Sequence, residues 1–124
     1  MITLIGFSLD EARTDIKRYV DAALEKGIPN RNVMRAYLVN ATDAMAVLGI
    51  DPSTQTAYSH FRAYIGMDAD SAYKLFMVPV NADNVDVIPE GPDRYYPHQG
   101  QYVFDFNTPC PNSCDLTSPL FVLK

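Results

Sequence analysis

His60-Phe61-Arg62-Ala63-Tyr64-Ile65-Gly66-Met67 and Ala72-Tyr73-Lys74-Leu75-Phe76-Met77-Val78 are two strand-like runs, separated by Asp68-Ala69-Asp70-Ser71. Aromatic and other apolar residues dominate both runs, and the four residues between them carry turn chemistry, so the segment reads as a β-hairpin. Placing Asp68 opposite Ala72 sets Ile65 against Leu75 and Ala63 against Met77 on one face. The other face then gathers Arg62, Tyr64, Phe76 and Val78. Both faces are largely apolar. A hairpin at about 60–80 therefore belongs at the centre of a sheet, with cover on each side. Pro79 ends the second strand or marks an edge.

Upstream, Ser8-Leu9-Asp10-Glu11 forms a capping box. Behind it Leu9, Ala12, Ile16, Tyr19, Val20 and Ala23 recur at helical spacing. Gly27 suits a left-handed C′ position and Pro29 blocks continuation, which predicts a helix at about 9–26. Residues 31–49 fit two patterns, one continuous helical stripe or a strand over Val33–Val39 followed by a helix. Asn40 and Thr42 are poor interior helix residues, which favours strand then helix, at about 42–48, capped by Thr42 or Asp43.

Downstream, Asn84–Ile88 suits a short edge strand and Pro89–Gln101 an ordered surface loop. Tyr102–Phe106 alternates as a further strand at about 102–106. Asn107–Asp115 is a proline-punctuated loop. The expectation is an α+β fold, one domain over 1–124, with an antiparallel sheet centred on the hairpin.

The chain has 124 residues, 48% of them hydrophobic, enough for a core without metal or disulfide support. Its net charge of -5 is unevenly placed: residues 1–62 carry seven bases and seven acids, residues 63–124 three bases and eight acids. Phosphate recognition draws on clustered Lys and Arg, so nucleic acid and anionic membranes are not expected partners. No stretch is apolar for the ~20 residues a membrane helix needs, and the opening residues lack a basic n-region. The expected compartment is the cytoplasm, where thiols stay reduced.

Cys110-Pro111-Asn112-Ser113-Cys114 is the most unusual motif. Its three intervening residues depart from the two of a redox pair, and it supplies only two of the four ligands of a structural zinc site. A short-loop disulfide, a site completed by His98 or His60, and two packed thiols all remain open. Arg62, on a central strand, needs an anionic partner, and Asp105, between Phe104 and Phe106, is a candidate for a buried ion pair with it. Arg94, Tyr95, Tyr96, His98 and Tyr102 make the richest candidate contact patch, because Tyr and Arg are enriched at interfaces. No phosphate-loop, nucleophile-elbow or zinc-protease motif occurs, and nothing calls for a cofactor or a metal.

Arg62-x-Tyr64-x-Gly66, the second apolar strand Lys74–Val80 and the late Cys110-Pro-x-x-Cys114 resemble a group of small uncharacterised bacterial proteins. The likeness covers the last half of the chain. It implies an α+β fold and carries no activity, cofactor or catalytic residue.

Strong fold signals beside weak catalytic ones point to a non-catalytic accessory or protein-interaction domain, engaging a protein through its acidic, tyrosine-rich second half. Two other readings stand beside it: a thiol- or metal-dependent site on Cys110 and Cys114, and an acidic inhibitor of a basic nucleic-acid-binding protein. The sequence leaves the oligomeric state open.

Overall fold

A computed structural model describes residues 6–105 and 116–120. The elements follow in the order β1 (Gly6–Ser8), α1 (Leu9–Glu25), β2 (Ala36–Asn40), α2 (Ala41–Val47), β3 (His60–Met67), β4 (Tyr73–Val80), β5 (Glu90–Gly91) and β6 (Gly100–Phe104). The strands form one antiparallel sheet in the order β1-β6-β4-β3-β2, with β5 beside β6. This is the α+β fold that the sequence predicts.

The β3–β4 hairpin sits at the centre of the sheet, in the expected register. Ile65 pairs with Leu75 and Ala63 with Met77. Asp68 sets that register. Its amide donates to the Ala72 carbonyl at 2.9 Å, and its side chain accepts the amides of Asp70 and Ala72 at 2.9 and 3.0 Å. Ser71 takes the left-handed conformation the turn requires, at φ 65.

Helix α1 covers one face. Ser8 caps it by accepting the Glu11 amide, and Gly27 follows its end at φ 88. Ala12 packs with Phe76, Val78 and Val103, and Phe7, Ile16 and Tyr64 close around them. Full burial of a Phe or Val side chain contributes about 1.5–3 kcal/mol, so this cluster is the main apolar anchor between helix and sheet. Gly66 permits the close approach. A Cβ there would lie 2.7 Å from the Phe76 ring and 3.4 Å from the Asp15 backbone. Arg18 fastens the helix by donating to the Met67 carbonyl at 2.8 Å.

Residues 31–49 take the strand-then-helix course. The strand starts at Ala36, later than the sequence suggests, because Asn30–Asn32 form a 3-10 turn that the Arg35 side chain ties down at the Asn30 carbonyl, 3.1 Å away. The helix begins at Ala41, and Asn40 is its cap, where Thr42 or Asp43 was expected. The Asn40 Oδ1 accepts the amides of Thr42 and Asp43 at 2.8 and 3.4 Å.

Other expectations need adjusting. Asn84–Ile88 makes only an isolated bridge, Asp86 against Val80, and the strand expected at 102–106 runs from Gly100 to Phe104. Cover on the face opposite α1 is incomplete among the described residues. The 92–99 loop lies over β6, where Tyr95 meets Phe104 and Tyr96 stacks on Tyr102, but Tyr73 and Leu75 stay exposed. Among the described residues no helix is long and apolar enough to cross a membrane.

Candidate binding site

On the face away from α1 the sheet carries a groove of about 380 Å³. Phe61 and Pro79, paired across the hairpin, line it together with Met77 and Phe104, paired between β4 and β6. Tyr58 comes from the loop before β3, and Ala41 from the first turn of α2. The groove is apolar apart from a few groups at its margin, the chemistry of a pocket for hydrocarbon surface.

His60 is the one histidine at this groove, and its surroundings decide what it can do. Its Nδ1 lies 2.9 Å from the Ser59 Oγ, and its Nε2 lies 3.5 Å from the Asn40 Nδ2. The Asn40 oxygen is engaged in capping α2, so the amide nitrogen faces the ring and donates to Nε2. In the tautomer that accepts from Asn40, the ring proton sits on Nδ1 and is donated to Ser59. A serine nucleophile needs the opposite polarity, a ring nitrogen free to accept its proton. In that tautomer Ser59 and His60 do not form a nucleophile–base pair.

Beside the groove the chain leaves apolar surface uncovered. Among the described residues strand β2 is the last in the sheet. Tyr37 and Leu38, on its opposite faces, are 57% and 51% exposed. Helix α2 turns Met45 inward and presents Val47 and Leu48 outward, at 86% and 73% exposed, with Ile50 exposed just beyond. Sequence reasoning did not mark Val47 or Leu48 as contact residues. The signal it lacked is the shortness of α2, which leaves the residues after Met45 without a surface to pack against.

The proposed pair of Arg62 with Asp105 is not formed. Arg62 pairs instead with Asp86, which also accepts the Tyr64 hydroxyl, and Arg62 donates to Asn84 Oδ1 at 2.6 Å. Asp105 is taken by Lys74 at 3.0 Å. The register explains the exchange. Phe104 lies opposite Met77, which carries Asp105 toward the Lys74 end of β4, whereas the bridge at Val80 brings Asp86 to the Arg62 end. Burial, then the hydrogen bond to Asp86, raises the Tyr64 phenol above its ordinary pKa. This cluster lies on the α1 face, away from the groove.

The Tyr-rich patch is drawn together, but largely inward. Tyr102 is 1% exposed, and its hydroxyl donates to Asp93 at 2.7 Å. The other Asp93 oxygen accepts the Tyr95 and Tyr96 amides at 2.9 and 2.8 Å. Burial and the Asp93 hydrogen bond push the Tyr102 pKa up to about 12. The Tyr102 hydroxyl in turn holds the Asp93 carboxyl below its usual value. Tyr96 packs edge-on against His98, and Arg94 lies over the Tyr95 ring. Only Arg94 and His98 of the five remain exposed, so the patch works as a self-packed loop.

Cys110 and Cys114 lie outside the described residues. Asp68 uses its carboxylate on turn amides, which is its role in the hairpin. Compared with protein-family models, with curated proteins and with solved structures, the chain matches none of them.

Proposed function

We propose that this chain is a small non-catalytic accessory domain that works by binding another protein chain through β2, α2 and the adjoining groove. The observation that carries the reading is the concentration of exposed large apolar residues between Met34 and Ile50: Met34, Tyr37, Leu38, Val47, Leu48 and Ile50. Six large apolar side chains left exposed within this one stretch go beyond the scattered single exposures of an ordinary surface, and such concentrations mark interaction surfaces. The tautomer of His60 that accepts from Asn40 offers Ser59 no base, which supports the non-catalytic part. The self-packing of the tyrosine loop moves the expected contact surface from the second half of the chain to the first.

The test is site-specific photo-crosslinking in the cells of origin, with the reactive residue at Leu48 or, as a control, at the exposed Lys17 on α1. A discrete protein adduct from Leu48 and none from Lys17 is the expected result. A folded protein that gives no discrete adduct from Leu48 overturns the proposal.

A further inference from the structure

The backbone of β2 has an alternation that two hydrogen bonds fix. The Ile65 amide donates to the Arg35 carbonyl at 2.9 Å, and the Ala41 amide donates to the Ser59 carbonyl at 2.7 Å. In an antiparallel ladder these bonds put the amides and carbonyls of Tyr37 and Val39 on the β3 side. The amides of Leu38 and Asn40, and the carbonyls of Ala36 and Leu38, then point out of the sheet. Among the described residues nothing pairs with that edge.

Exposed edges are normally blunted by lysine, proline or a bulge. Ala36-Tyr37-Leu38-Val39-Asn40 contains none of these residues, and its five pairs with β3 run without interruption. The edge is apolar on both sides, with Leu38 on the α1 face and Tyr37 on the other.

We infer, resting on the interaction reading above, that the occupant of this edge is β2 of a second copy, paired antiparallel about a two-fold axis at Leu38. The outward groups are symmetric about that residue. The Leu38 amide of each copy reaches the Leu38 carbonyl of the other, and each Asn40 amide reaches the opposite Ala36 carbonyl. Area agrees as well. The six exposed apolar residues of 34–50 expose on the order of 700 Å² per copy in total, so that part of this surface together with the strand edge itself can supply the ~800 Å² per partner of a stable interface. A two-fold contact of this kind closes on itself and yields a dimer rather than a fibre.

The experiment combines sedimentation of the full chain at tens of micromolar with residue-resolved amide exchange. The expected result is a dimer in which the Leu38 and Asn40 amides exchange slowly. On dilution to monomer these two should speed up at least tenfold, while Tyr37 and Val39, bonded to β3, stay slow. Leu38→Lys places a charge on the exposed edge and should give a monomer. Should that variant fail to fold, the dilution series on the unmodified chain decides alone. A monomer at these concentrations overturns the inference, as does a dimer whose Leu38 amide exchanges freely. A monomer that still crosslinks a foreign protein at Leu48 overturns the two-fold pairing and leaves the interaction reading standing. Loss of every Leu48 adduct overturns both.

Discussion

Arg62 and Asp86 meet across β4, with the buried residues Val78 and Val80 between them in the register. Asp86 also receives the Tyr64 hydroxyl, so one carboxylate joins two residues of β3 to the segment after β4. Both side chains of the pair are about four-fifths covered. Removing one partner leaves the other charge poorly solvated and unpaired, and that penalty exceeds the net value of the pair.

Asp86→Ala should therefore lower unfolding stability by about 2 kcal/mol. Arg62→Met in the same background should recover part of the loss, because it removes the stranded guanidinium and keeps the apolar stem. Urea denaturation of both single variants and the double variant gives the coupling directly. Equal, additive losses from the two single changes would show that the pair is not coupled.

Gly66 is a packing residue at the helix–sheet contact. The Phe76 ring that a Cβ would strike is fully buried and cannot swing away. Gly66→Ala should cost about 1–3 kcal/mol through overpacking, despite the gain in strand propensity. Gly49→Ala offers a contrast, since nothing lies within 4 Å of that Cβ and its cost comes only from the left-handed backbone, φ 75. A thermal melt in which Gly66→Ala is as stable as the unmodified chain would remove the close-approach argument.

These features differ in how far the sequence reveals them. The hairpin register was legible because strand side chains alternate with period two and Asp68 anchors the turn locally. The partner of Arg62 was not, because the alignment of Asp86 and Asp105 along β4 depends on how non-consecutive segments lie on one edge. Tyr102 read as a contact residue because a local pattern cannot show that β6 is buried on both faces, with Val103 against α1 and Tyr102 under the loop. Asp93 escaped notice for a related reason: its partners are mostly backbone amides, which carry no residue signature. The exposure of Val47 and Leu48 was not legible because an apolar helical pattern does not say whether another element covers it.

The Asp93–Tyr102 bond gives the fold a pH signature at both extremes. Burial and the bond to Asp93 push the Tyr102 phenol up to about 12, from an ordinary tyrosine value of 10.0. A raised folded pKa means its contribution is complete below pH 10.0 and is lost as pH rises toward 12. Asp93 is lowered from 3.8, so its contribution is complete above 3.8 and is lost as pH falls through the lower folded value. Stability should thus hold across neutral pH and decline on both flanks. Tyr102→Phe should remove the alkaline decline assigned to this group and soften the acid one. Phenolate absorbance during alkaline titration checks the first point, since Tyr102→Phe should remove one late-ionising phenol and leave that of Tyr64.

Asn40 has two tasks that separate cleanly. Its oxygen caps α2 and its nitrogen holds the His60 ring. Asn40→Ala should cost about 1 kcal/mol, the usual value of an N-cap. Because α2 is only seven residues long, the loss should appear first as faster amide exchange over Ala41–Val47. Asn40→Asp retains a good capping oxygen but replaces the donor with an acceptor. The His60 proton should then move from Nδ1 to Nε2, freeing Nδ1 to accept from Ser59. Ring nitrogen chemical shifts distinguish the two tautomers. If the unmodified protein already carries its proton on Nε2, Ser59 has a base after all, and the structural role assigned to this pair fails.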